Sequence, residues 1–186
     1  MPDNQQYLTE ARAKAAAFDA EREPERLREA YEALENVVPA QEGNPAARAA
    51  VRRDGLALWL RLLHTLDQNL DPAFDPADVP ATKVQPPPIP GGGVPPPGAD
   101  PATIPDPKAR AEYQKAVAAN RAKAENYRLQ NLLRQMDERI APRAEGFIRT
   151  AFAPDAADRA EVAAAVGAVV KNAARKAKLL KLVTPD

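Results

Sequence analysis

Thirteen of the 20 prolines and four of the eight glycines fall within residues 71–107, DPAFDPADVPATKVQPPPIPGGGVPPPGADPATIPDP, and no other feature limits the fold so strongly. Proline fixes φ, removes a backbone donor and pushes the residue before it toward extended geometry, so this stretch is neither helix nor central strand. Pro86, Pro87 and Pro88, continuing to Pro90, and Pro95 to Pro97 are predicted to adopt polyproline II, with Gly91 to Gly93 as a turn or hinge. A connection of this length without secondary structure is unusual inside a compact domain. It is either a linker between two helical halves or a strap lying on them.

The flanking blocks, residues 1–70 and 108–186, read as helix and as one structural domain together. Ala supplies 40 of the 186 residues and the larger Val, Ile, Leu, Met, Phe, Trp and Tyr only 43, which favours helix over strand and makes the core thin. A first helix over residues 5–20 places Tyr7, Leu8, Ala11, Ala15 and Phe18 on one face. Pro24 opens a second, carrying Leu27, Tyr31, Leu34 and Val38. Asn44-Pro45 is a cap followed by a first-turn proline; the helix it starts, with Val51, Leu58, Trp59, Leu62, Leu63, Leu66 and Leu70, has the widest apolar face and is the expected centre of the core. Gly55 within it suggests a close helix crossing.

Asp106-Pro107 repeats the cap signal. The helix it opens spaces Tyr113, Val117, Asn120, Ala124, Tyr127 and Asn131 at alternating four and three residues. If continuous over residues 108–140 it spans about 50 Å, longer than the roughly 40 Å of a compact sphere of this chain length. Pro142 is expected to kink or restart it, and Asp158 with Glu161 resembles a capping box for a last helix burying Val162, Val166, Val169 or Val170, Ala173, Ala177 and Leu180. The expected fold is thus all-α: an elongated helical bundle or long helical hairpin of five to six helices, with a Pro-rich extended strap between the halves.

Chemistry is narrowed by elimination. The sequence has no Cys and no Ser, and none of its six Thr stands in a strained or Gly-rich turn, so the usual acyl-transfer nucleophiles are missing. His64 is the only histidine, which excludes two-histidine zinc sites and ferritin-like di-iron bundles, and no phosphate-binding loop occurs. His64 itself reads as a boundary residue beside Trp59 or Leu60 rather than a pH switch. Glu25 with Glu29, and Asp137 or Glu138 with Glu145, are the carboxylate pairs left for acid–base work, yet a charged helix face explains them. Asp71, Asp75 and Asp78 lack the spacing of a calcium loop, and the Asp-Pro dipeptides among them, Asp71-Pro72 and Asp75-Pro76, read as turn starts. No catalytic residue, cofactor or metal site is assigned.

Charge is unevenly spread beneath a net value of zero: residues 1–70 carry −3, residues 71–107 carry −4 and residues 108–186 carry +7. Lys171, Arg175 and Lys178 fall on one face of the last helix, with Lys176 and Lys181 adjacent. That face suits an anionic membrane or an acidic partner; nucleic acid is disfavoured because no aromatic interleaves the run. In the strap, Val79, Val84, Ile89, Val94 and Ile104 exceed what a linker needs and favour docking. Trp59, Tyr113 and Tyr127 are the expected receivers of the prolines, and Asn120 and Asn131 the expected donors to carbonyls that polyproline II leaves unpaired.

These features point to a non-catalytic helical interaction or scaffold protein that binds another protein, with a second copy of the chain as a further candidate partner. The alternative is a peripheral binder of anionic surfaces through the basic helix, and a carboxylate enzyme comes a distant third. Residues 1–20 hold no apolar run of signal-peptide length and no stretch approaches a membrane span, so a cytoplasmic location is the default expectation.

Overall fold

A helix begins where a side chain or proline settles the backbone donors that its first turn leaves open. In the computed structural model, which describes residues 3–152 and 156–184, Asp3 accepts from the amide of Gln6 and starts α1 (Asn4–Glu21). Pro24 starts α2 (Pro24–Glu35), and Asn44 accepts from the amide of Ala46 ahead of Pro45 at the head of α3 (Pro45–Asn69). Asp106 and Pro107 open α4 (Pro107–Phe152), which is followed by α5 (Ala156–Val169) and α6 (Ala173–Lys181). Two 3-10 turns lie at Pro39–Gln41 and Pro101–Thr103, and no strand occurs among the described residues. None of these helices is long and apolar enough to cross a membrane.

The chain divides into two units, Met1–Leu70 with Leu132–Asp186, and Asp71–Asn131. The sequence places its second division at 107/108, ahead of the long helix; the structure places it inside α4, at 131/132. The first part of α4 therefore belongs with the Pro-rich segment.

In the first unit α1 packs on α2 and α3, while α3 also meets α2 and α5. Leu8, Ala11, Ala15 and Phe18 of α1 are buried as their spacing predicts, and Leu58, Trp59, Leu62, Leu63 and Leu66 make α3 the centre of the core. Trp59 meets the Tyr31 ring edge-on at 6.0 Å and the Phe147 ring at 6.3 Å. Gly55 is what admits that Phe147 ring, since a Cβ there would lie 2.7 Å from its Cζ.

Several expectations fail for local reasons. Val38 is exposed and Val37 is buried, because α2 ends at Glu35 and the chain beyond no longer follows helical spacing. Asn4 holds that turn: its Oδ1 accepts from the Val38 amide at 2.8 Å and its Nδ2 donates to the Val38 carbonyl at 3.2 Å and to Glu42 at 2.6 Å. Pro142 does not end α4. It lies on the exposed side, so the carbonyl it deprives of a donor faces water, while Leu133, Ile140, Ala144, Ile148 and Phe152 are buried. The predicted last helix is two helices: the chain breaks after Val169, Val170 is buried, and Asn172 caps α6 by accepting from the Arg175 amide. Leu179 and Val183 are then buried, and Ala173 and Ala177 are exposed. Asp158 is the third residue of α5 rather than its cap, and it pairs with Arg52 at 3.0 Å.

Candidate interaction surface

The second unit is built on a repeated dipeptide. At Asp71-Pro72, Asp75-Pro76 and Asp100-Pro101 the carboxylate accepts from the amide two residues on, and the Asp carbonyl accepts from the amide three residues on. Asp106-Pro107 makes the related helix-capping arrangement. Proline presets the backbone at the second position and Asp closes the turn, so Asp71 and Asp75 act as turn residues.

Pro-Gly steps supply the remaining reversals. The Gly92 amide donates to the Ile89 carbonyl around Pro90-Gly91, and the Ala99 amide donates to the Pro96 carbonyl around Pro97-Gly98. Gly91 and Gly98 have φ of +73° and +78°, the left-handed region that a side chain disfavours. Between these turns the segment folds back on itself: the Gly98 amide donates to the Val84 carbonyl at 2.9 Å, and Gln85 Nε2 to the Pro95 carbonyl at 2.9 Å.

Side chains of α4 hold this path. Tyr127 donates its hydroxyl to the Pro76 carbonyl at 2.8 Å and Asn120 Nδ2 donates to the Ala81 carbonyl at 2.7 Å. The buried Tyr113 hydroxyl lies 3.2 Å from the carbonyls of both Val84 and Ala99. The three donors are seven residues apart, about 10.5 Å per interval along the helix, and their acceptors run in the opposite chain direction. From Pro76 to Val84 a polyproline II path covers about 25 Å, enough for the roughly 21 Å between Tyr127 and Tyr113. The Phe74 ring meets the Tyr127 ring at 5.5 Å with the planes inclined at 57°, and Arg110 Nε donates to the Ile104 carbonyl at 2.9 Å.

One expected receiver, Trp59, and one expected donor, Asn131, are placed otherwise. Trp59 is enclosed in the core of the first unit by Tyr31 and Phe147. The amide that meets the segment beyond Tyr127 is that of buried Gln130, whose Oε1 accepts from the Asp71 amide at 2.8 Å; Asn131 is half-buried beside it. A contact line on a straight helix drifts about 20° per seven residues, enough to pass from the Asn131 position toward Gln130. Pro86 is buried, Pro87 half-buried and Pro88 exposed. Val79 and Val94 are 64% and 61% exposed. A groove of about 730 Å³ lies between the segment and α4, lined by Val84, Tyr113, Val117 and Asn120 with Lys83 and Arg121 at its polar edge.

The basic residues do not form one open face. Arg175 is turned inward in the first unit: its Nε donates to Asp67 Oδ1 at 2.9 Å and its Nη2 to Asp137 Oδ1 at 2.6 Å. Burial raises the Asp67 carboxyl above its ordinary value, opposed by the charge of Arg175. Lys178 pairs with Glu145 at 2.7 Å, and the ammonium of Lys176 donates to the Gly167 carbonyl near the end of α5. Lys171 donates to the Ala168 carbonyl and is exposed, as is Lys181. The break at Val170 removes the single helix that would have aligned Lys171 with Arg175 and Lys178.

The carboxylates are likewise distributed among separate cations. Glu25 pairs with Arg28, and Glu29 with Lys14 and Arg26; each is held below its ordinary value by these hydrogen bonds, the reverse of what a general acid requires. Asp137, Glu138 and Glu145 pair with Arg175, Arg134 and Lys178. His64 is half-buried on α3, its Nδ1 enclosed without a hydrogen-bond partner. No protein-family model, curated protein or solved structure matches the chain.

Proposed function

We propose that the protein is a non-catalytic helical interaction protein, in which the first unit forms a bundle and the second unit offers the surface that a protein partner binds. One observation carries this reading. The Pro-rich segment is held along one path by Tyr113, Asn120, Tyr127 and Gln130, yet it leaves Val79 and Val94 in solvent. A spacer has no use for such anchors, and a core element would have buried its valines. What remains is an ordered, partly apolar surface whose ordering entropy is already spent before any partner arrives. The pairing of Arg175 with two carboxylates takes the central cation away from the anionic-surface reading.

The test is photo-cross-linking in the native source with a benzophenone amino acid at exposed Val117. A discrete protein adduct, identified by mass spectrometry and absent when the benzophenone replaces exposed Lys181 instead, is expected. Cross-links indistinguishable between the two positions would refute the reading.

A further inference from the structure

We infer that the hairpin formed by residues 84–99 is a preorganised polyproline II ligand for a protein domain with an aromatic-lined groove; this rests on the interaction reading above and names the partner's chemistry.

Residues 84–99, VQPPPIPGGGVPPPGA, carry no charged side chain in a chain that is 28% charged. An acidic or basic partner surface has nothing to meet there. Prolines 86, 87, 88 and 90 impose polyproline II, whose three residues per turn give the run three edges. Burial follows those edges. Pro86 is buried and Ile89, three residues on, is half-buried, with its side chain against Gly92; Pro88 and Pro90 are exposed and Pro87 half-buried. The edge of Pro86 and Ile89 is the most covered and Pro88 and Pro90 are the most open, with Pro87 and Pro90 aligned one turn apart. Exposed Val94, Pro96 and Pro97 continue the uncharged surface on the returning arm.

The backbone is equally prepared. The carbonyls of Pro87 and Pro88 accept no hydrogen bond from the described residues, and proline offers no donor of its own. A ligand of this kind needs flat aromatic faces for its rings and N–H or O–H donors for its carbonyls. The molecule already contains such donors: Tyr113 donates to the Val84 and Ala99 carbonyls at the base of the hairpin, and Asn120 and Tyr127 donate to the Ala81 and Pro76 carbonyls of the preceding stretch. A partner would repeat at the outward edges what α4 does at the base. Meanwhile Tyr113 ties both arms together through Val84 and Ala99, and the Gly98 amide and Gln85 side chain cross-link them. The hairpin is therefore held in its binding form, which lowers the entropy lost on association.

The full-length chain is titrated by fluorescence anisotropy against three purified reader domains of this type, an SH3, a WW and an EVH1 domain. Saturable binding by at least one is expected, competed by a synthetic peptide of residues 84–99. The double change Pro87→Ala/Pro90→Ala should weaken it by about tenfold or more, with an unaltered circular dichroism melting curve. Tyr113→Phe leaves every ligand residue in place but loosens the base, and should weaken binding several-fold. Absence of saturable binding to all three domains, or binding unchanged by the proline double change, overturns the proposal. Carrying the same double change into the Val117 cross-linking experiment separates the two readings. A native adduct that survives it sinks the polyproline ligand and leaves the interaction reading standing; no specific adduct even from the wild type sinks the interaction reading itself.

Discussion

Replacing Arg175 with Met keeps most of the side-chain volume and removes the charge that two carboxylates face. The Arg175 side chain is 14% exposed, that of Asp67 7% and that of Asp137 28%. Asp137 can turn to water. Asp67 cannot, and its Oδ2 is already enclosed without a partner. Breaking a buried pair from one side leaves an uncompensated charge, so Arg175→Met should lose about 3 kcal/mol, and the melting temperature should fall by about 9 °C. Asp67→Asn removes the charge but leaves Arg175 with Asp137, and should cost about 1 kcal/mol. The double variant strands no charge at position 67 and should lose less than the sum of the two, by at least about 1.5 kcal/mol. Urea unfolding followed by the fluorescence of Trp59, buried in the same unit, measures all three. The pH dependence gives an independent check. Because burial raises the Asp67 carboxyl, the folded state binds this proton more tightly than the unfolded state does. Its contribution to stability is therefore complete below the unfolded value and is lost as pH rises through the folded one. Without Arg175 the folded value rises further, so the deficit of Arg175→Met should be smaller at about pH 4 than at about pH 7. Additive losses, or a deficit that grows in acid, would refute the reasoning.

Gly55→Ala gains up to about 1 kcal/mol of helix propensity but drives a methyl group into Phe147; a net loss of about 1–2 kcal/mol is expected in chemical denaturation, largely recovered by adding Phe147→Leu. Asn4→Ala strands the Val38 amide and carbonyl at a turn and should lose about 2 kcal/mol, read by the same Trp59 fluorescence. Tyr113→Phe should speed amide exchange at Gly98 and proteolysis between Val84 and Ala99, while leaving the Trp59 transition within about 0.5 kcal/mol of wild type. Lys171→Gln and Lys181→Gln, both on exposed side chains, should each change stability by less than about 0.5 kcal/mol in thermal melts.

The starts of α2, α3 and α4 are readable because they depend on neighbours in sequence. Asn44-Pro45 and Asp106-Pro107 act through their own next few amides, so no knowledge of the remaining chain is required. Helix ends and interruptions depend on what the outer or inner face meets. Pro142 looks like a stop in sequence, yet a proline on an exposed face opposite Ile140, Ala144 and Ile148 loses one backbone bond to water while the buried stripe keeps the helix together. The break at Val170 was hidden for the opposite reason. Ala-rich sequence on both sides favours continuity, and the break becomes favourable once Val170 is buried and Asn172 can cap a new helix bearing Arg175.

The site was legible to the same degree and no further. Seven-residue spacing puts Tyr113, Asn120 and Tyr127 on one line, and the Asn120 amide donates to a segment carbonyl as its chemistry suggests; the tyrosines, expected to take prolines on their ring faces, act instead through their hydroxyls. Which carbonyls they take is not legible in this way, because the Asp-Pro and Pro-Gly turns decide where the segment reverses and no periodicity reports it. Arg175 shows the same limit from the other side. On a helical wheel it belongs with Lys171 and Lys178, and charge spacing alone cannot tell a solvated cation from one facing Asp67 across 108 residues of chain. The distinction lies in the partner: a guanidinium forks to two carboxylates where an ammonium offers a point charge, and the single Arg of the basic run, followed by Lys176, Lys178 and Lys181, is the residue whose geometry suits burial. In this run Arg175 is accordingly the cation docked internally, while exposed Lys171 and Lys181 are the ones left to solvent.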